Sequence, residues 1–189
     1  MDYIDQINYI ASYFKEHEKR QEEFKVGIEV EHFIVDKNSL RTISYYGKDG
    51  VAETLKDLEK RGWTGSYEGE HILGLSSKKK YITLEPASQL ELSISPQESI
   101  EELEKEYLDF LYEIIPILER KNQALITVAY HPVSRINDIK MIPKKRYEYM
   151  YEYFKTKGKY AHNMMKGTAS FQVSIDYDSE EDYIKKFKV

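Results

Sequence analysis

The chain has 189 residues, 41% of them hydrophobic and 32% charged, which suffices to bury one core, so a single domain over 1–189 is expected. Twenty-eight Lys and Arg against 33 Asp and Glu leave a net charge of −5; that argues against a nucleic-acid footprint and favours small ligands and cations as partners. The absence of cysteine excludes disulfides, thiolate metal sites and a cysteine nucleophile, while no apolar run approaches the roughly 20 residues that cross a bilayer and the start MDYIDQINYIASYF lacks the pattern of a secretory signal, so a soluble, cytoplasmic protein with no membrane partner is expected.

Residues 3–22 place Ile4, Ile7, Ile10, Ala11 and Phe14 on one stripe, the pattern of an amphipathic helix that ends in the charged run EHEKRQEE. The period then changes. Residues 25–36, KVGIEVEHFIVD, alternate and are rich in β-branched side chains, so they predict a strand. A short helix is expected over 51–61, with Gly62 as its stop. Segments 71–75, 80–85 and 88–95 are three strand candidates. A long helix follows, with Ser95 as cap, Pro96 in its first turn, Glu98 completing a capping box, and Pro116 as a kink or the mark of its last turn. Residues 124–130 have strand length, 144–157 form a Tyr-rich helix, and 168–177 alternate as a strand. Ser179 and Asp182 resemble a capping box for a last helix that has room for only a few turns before the chain stops. This ending leads us to expect the front part of a longer protein. The seventeen tyrosines, mostly at helical spacing, are expected to cover core edges with their amphipathic rings.

Splitting three strands by their two-residue period exposes a shared feature. Ile28, Val30 and Ile34 oppose Glu29 and Glu31; Leu90, Leu92 and Ile94 oppose Gln89, Glu91 and Ser93, with Glu85 upstream; Ala169, Phe171, Val173 and Ile175 oppose Thr168, Ser170, Gln172, Ser174 and Asp176. The apolar faces should pack on helices. The other faces carry carboxylates, amides and hydroxyls with almost no cation among them. If the strands share a sheet, these acids converge and need a cation or protonation; oxygen ligands favour Mg²⁺, Mn²⁺ or Ca²⁺ over zinc. A plain wet sheet face, with the acids simply solvated, fits the same alternation.

Lys144, Lys145 and Arg146 stand at a helix start, where cations oppose the helix dipole and an anionic partner would explain them; pairing with surface acids is the alternative. The five histidines are scattered, with no zinc spacing, and His32 is expected to be a satisfied core residue. No P-loop or GxGxxG run occurs.

Taken together, GIEVEHF at 27–33, ITLEPASQLELS at 82–93, PKKRYEYM at 143–150 and MMKGTASFQVSIDYDSEEDY at 164–183 resemble the glutamate-cysteine ligase family, most closely its plant and bacterial branch, family 2. The resemblance implies an α+β, glutamine-synthetase-like fold, an antiparallel sheet curved into a funnel with helices on the outer face, left incomplete here if the chain is the N-terminal part. It implies an ATP-dependent ligase that joins the γ-carboxyl of glutamate to the amine of cysteine through γ-glutamyl phosphate, the first step towards glutathione. The cofactor is Mg²⁺ or Mn²⁺, ATP is the co-substrate, and a homodimer is open. By motif position Glu29, Glu31, Glu85 and Glu91 would be metal ligands, Gln89, Thr168, Ser170 and Gln172 would bind substrate, and Arg146 would contact an anion. A carboxylate-amine ligase with another substrate pair, or a non-catalytic binding domain, are the alternatives. Two departures stand out. Many relatives have LEPGGQ where this chain has Ala87 and Ser88, and an arginine where it has Gly167.

Overall fold

The computed structural model describes residues 2–189. Asp2 caps the first helix, α1 (Tyr3–Glu16), by accepting the Asp5 amide at 2.8 Å. The helix stops well short of residue 22. The charged run beyond it offers nothing to bury, and only a 3₁₀ turn at Gln21–Glu23 interrupts it. The stripe of α1 also reaches no core: Ile4, Ile7 and Ile10 are all exposed.

Strand β1 (Val26–Asp36) is the axis of the sheet. The others are β2 (Thr64–Glu68), β3 (His71–Ser76), β4 (Lys80–Leu84), β5 (Leu90–Gln97), β6 (Gln123–Ile126) and β7 (Phe171–Ile175). Seven strands run in the order β2-β3-β4-β5-β1-β6, with β7 also beside β1, and every pair is antiparallel. The length of β1 makes this possible: β5 takes residues 26–32 on one edge, and the other edge is shared by β7 at 26–30 and β6 at 33–36. The α+β class and the antiparallel sheet are as expected.

Helices α2 (Val51–Glu59) and α3 (Ile100–Arg120) cover the apolar face. Leu55, Leu58, Phe110, Ile114 and Ile117 lie fully buried against Ile34, Ile82, Leu90 and Leu92; each such side chain contributes about 1.5–3 kcal/mol relative to exposure. The cap of α3 is Ser99, not Ser95: its hydroxyl accepts the Glu102 amide at 3.2 Å. Strand β5 claims Ser95 instead, through a bond from its amide to the Lys79 carbonyl. Pro96 lies beside the register shift at Val26/Ile28, a place where a sheet tolerates proline. Pro116 stands one turn before the end of α3.

Helix α4 (Lys145–Phe154) and the unforeseen short helix α5 (Ala161–Gly167) close the end of the β4–β5 hairpin. The last helix, α6 (Glu180–Phe187), starts at Ser179 as expected, the hydroxyl accepting the Asp182 amide. Strand β7 is shorter than its pattern. Residues 168 and 169 leave β1 to pair with 129 and 130. Its apolar face is not packed on helices: Phe171, Val173 and Ile175 are more than half exposed, and Phe171 and Val173 line a cavity of about 630 Å³ that reaches Leu103 and Tyr107 of α3. The tyrosines also depart from expectation. Tyr45 and Tyr147 are buried, but Tyr3, Tyr9, Tyr112, Tyr149 and Tyr160 are each more than 60% exposed. Among the described residues no helix is long and apolar enough to cross a membrane.

Candidate metal and substrate site

The four glutamates come together on the sheet face opposite α2 and α3. Register places them in rows. Glu29 stands between Ser93 on β5 and Gln172 on β7; in the next row Glu31 stands directly opposite Glu91, which stands opposite Thr83 on β4. Glu85 and Gln89 follow at the hairpin end, joined by a bond from the Glu85 amide to the Gln89 carbonyl at 2.9 Å. Side chains directly opposite on one face have Cβ atoms about 4.5–5.5 Å apart, and like charges there repel.

Neighbouring hydroxyls and amides hold three of the carboxylates. Glu31 accepts the Ser170 amide at 2.9 Å, the Ser170 hydroxyl at 3.0 Å and the Gln172 amide at 3.4 Å. Glu91 accepts the Thr83 hydroxyl at 2.7 Å, and Glu85 accepts the Tyr147 hydroxyl at 3.0 Å. No ion pair neutralises any of the four among the described residues. Burial, and then the charges of Glu91 and Glu31, push the pKa of Glu29 up. The pKa of Glu85 also rises, chiefly by burial, against the pull of the Tyr147 hydroxyl and with Glu91 and Glu31 adding to the rise.

The other site residues fall into two groups. Ser170 and Gln172 belong to the acid face through Glu31. Gln89 is 2% exposed, and its amide is engaged within the chain: Oε1 accepts the Ala87 amide at 2.8 Å, and Nε2 donates to the Thr168 carbonyl at 3.0 Å and the Met165 carbonyl at 3.4 Å. It ties α5 and the start of β7 to the hairpin. Thr168 donates its hydroxyl to the Met164 carbonyl at 2.6 Å and lines a recess with Tyr130, Tyr160 and Asn163. Asp176 is remote from the acids, paired with Lys19 at 2.8 Å.

Arg146 is exposed, with its guanidinium carbon 5.2 Å from the centre of the Tyr147 ring, and the Lys144 ammonium lies 5.0 Å from the same ring. Pairing with surface acids does not account for this cluster: none of Lys144, Lys145 and Arg146 forms an ion pair among the described residues. Helix α4 has no side-chain cap either.

Both departures from the family pattern have local consequences. Ser88 takes a φ of +71°, the left-handed position after a tight turn that glycine prefers, and its buried hydroxyl has no partner. At Gly167 an added Cβ would lie 2.7 Å from Ile136 Cδ1 and 2.9 Å from the Tyr130 ring, so a side chain here would require Ile136 and Tyr130 to move aside. Tyr147 and Thr83 are the contacts that the sequence pattern missed. Thr83 shares the alternation of Glu85 and could have been found; Tyr147 meets Glu85 across a gap in sequence that no periodicity spans.

Among the described residues no three Asp, Glu or His side chains are close enough to cage an ion. A Mg²⁺ ion is usually held by one or two carboxylates, completed by waters and substrate phosphates. The donors here, all oxygen and all anionic, fit such a hard cation.

The model of glutamate-cysteine ligase family 2 matches residues 25–189. Among the curated relatives, the chloroplastic glutamate-cysteine ligase of Brassica juncea is 35% identical over 185 residues, covering 97% of this chain and 35% of the relative. That of Arabidopsis thaliana is also 35% identical over 185 residues, covering 97% of the chain and 34% of the relative, and that of Medicago truncatula is 34% identical, with 97% and 35% covered. The chain thus spans about a third of the length of these relatives. Their names run against the expected cytoplasmic location: each of these relatives is called chloroplastic.

Proposed function

The chain belongs to glutamate-cysteine ligase family 2, and from that premise we propose that it supplies the acid-lined floor of an active site joining the γ-carboxyl of glutamate to the amine of cysteine at the expense of ATP. The observation that carries this reading is the set of carboxylates, Glu29, Glu31, Glu85 and Glu91, on one sheet face, none of them in an ion pair among the described residues.

A carboxylate is a poor acyl donor because its oxygen does not leave. Attack of the glutamate γ-carboxylate on the terminal phosphorus of ATP forms an acyl phosphate and releases ADP. The cysteine amine then attacks the acyl carbon, an amide forms, the amine loses a proton, and inorganic phosphate departs. No covalent bond to the protein is needed, so the protein's work is positioning and charge stabilisation. Glu29, Glu31, Glu85 and Glu91 would hold Mg²⁺ or Mn²⁺. The bound ions supply positive charge to the phosphate oxygens. Ser170 and Gln172 orient Glu31, Gln89 holds α5 and Thr168 against the hairpin, and Arg146, which forms no ion pair among the described residues, is placed to meet an anion.

The protein carrying this chain should release ADP from ATP and Mg²⁺ only when glutamate and cysteine are both present. Glu29→Gln should lower that rate by roughly 100-fold or more, the scale of losing an electrostatic contact to the transition state, with the fold kept. Equal ADP release with a different amine would move the assignment to a sister carboxylate-amine ligase. Full activity of Glu29→Gln would remove the role of the acid face.

A further inference from the structure

The basic start of α4 enters the proposed chemistry only through Arg146, yet the better-defined contact of that segment belongs to its neighbour. Tyr147 is 1% exposed. Its hydroxyl donates to Oε1 of Glu85 at 3.0 Å, with the Leu84 carbonyl farther off at 3.4 Å. The helix start is itself tied to the hairpin by a bond from the Ile142 amide to the Pro86 carbonyl at 3.0 Å. Above the ring sit two cations, Lys144 at 5.0 Å and Arg146 at 5.2 Å. Positive charge over a phenol makes its O–H a stronger donor, so this arrangement favours a firm bond to an anionic acceptor.

Glu85 needs such a partner more than the other acids do. Glu29, Glu31 and Glu91 project from paired strands, whereas Glu85 lies just past the end of β4, where the chain enters the Pro86-Ala87-Ser88 turn. Repulsion from Glu31 and Glu91 acts on it. Without an anchor its carboxylate would swing away from them.

We propose that Tyr147 is a positioning residue for the metal site: its hydroxyl holds the Glu85 carboxylate on the acid face so that a divalent ion meets it already oriented. This rests on the metal-binding reading of the acids. Groups that orient a ligand in this way typically govern affinity by 10–100-fold.

The test is a calorimetric titration of the 189-residue chain with Mn²⁺ alone, for the wild type, Tyr147→Phe, Glu85→Gln and the double variant. Phenylalanine keeps the ring and its packing, so the urea midpoint should stay near that of the wild type while Mn²⁺ binds about 10–100-fold more weakly. Glu85→Gln alone should weaken binding at least as much. If Tyr147 acts through Glu85, adding Tyr147→Phe to Glu85→Gln should cost less than about twofold, a non-additivity that a general packing role does not produce. Affinity of Tyr147→Phe within about twofold of wild type, unchanged affinity of Glu85→Gln, or an equal loss in both backgrounds would overturn the proposal and leave the other acids as ligands. A wild type without saturable Mn²⁺ binding would overturn this inference and the metal reading together.

Discussion

His32 lies on the other side of β1 from Glu31 and is fully buried. Its Nδ1 is 3.1 Å from the Leu90 carbonyl, and its Nε2 is 3.0 Å from the Tyr107 hydroxyl. A carbonyl only accepts, so Nδ1 carries the proton and Nε2 accepts from the phenol: the neutral ring is satisfied at both nitrogens. Burial lowers its pKa to about 4. Between pH 6.5 and 4 the unfolded chain therefore binds a proton that the folded chain refuses, and stability falls as pH drops through that window. The loss is on the order of 3 kcal/mol. His32→Gln can offer the same donor and acceptor without titrating. Urea unfolding at pH 7 and pH 4 should show the wild type losing about that much more than the variant, and parallel losses would mean that His32 is not held neutral. The satisfied core histidine was legible because alternation puts residue 32 on the apolar face. The same rule put Glu29, Glu31 and Glu91 on the opposite, polar faces of their strands, with Glu85 just upstream. It could not find Tyr147, nor that the Gln89 amide would be engaged by Ala87, Met165 and Thr168, because those contacts depend on how α4 and α5 return to the hairpin.

At the scale of elements, α3 shows local signals competing. Two capping boxes lie four residues apart, Ser95 with Glu98 and Ser99 with Glu102, and each satisfies the same rule. The sheet decides between them: β5 keeps its ladder to Gln97 opposite Val26, and the Ser95 amide is taken by Lys79. The helix therefore starts one turn later. Ser99→Ala should cost about 1 kcal/mol, the usual loss for an N-cap, while Ser95→Ala should stay within about 0.5 kcal/mol of wild type. Urea midpoints of the two variants measure both, and the reverse ranking would restore Ser95 as the cap. Packing likewise separates pattern from outcome in α1 and β7. Both have the expected periodicity, but neither apolar face reaches the core, since periodicity states which face could be buried and not whether the core lies against it.

For the whole molecule, the acid face is assembled from segments far apart in sequence: β1 gives Glu29 and Glu31, the β4–β5 hairpin gives Glu85 and Glu91, α4 holds Glu85 through Tyr147, and the residue just before β7, Ser170, holds Glu31. Unfolding scatters all of them. If, as proposed, a divalent ion bridged these strands, it would bind the native state alone and stabilise the entire fold, by about 2.7 kcal/mol at a hundred times its Kd. For a chain of this size each kcal/mol moves Tm by about 2–4 °C, so saturating Mn²⁺ should raise Tm by about 5–10 °C. Glu29→Gln should behave oppositely in its two conditions. Without metal, removing a carboxylate that Glu91 and Glu31 repel should leave Tm at or above the wild-type value. With Mn²⁺ the variant should gain less than the wild type, so the order of the two proteins reverses. A scan in which Mn²⁺ shifts both proteins equally would show that the ion acts elsewhere, and no shift in either would leave the charges of this face balanced by water alone.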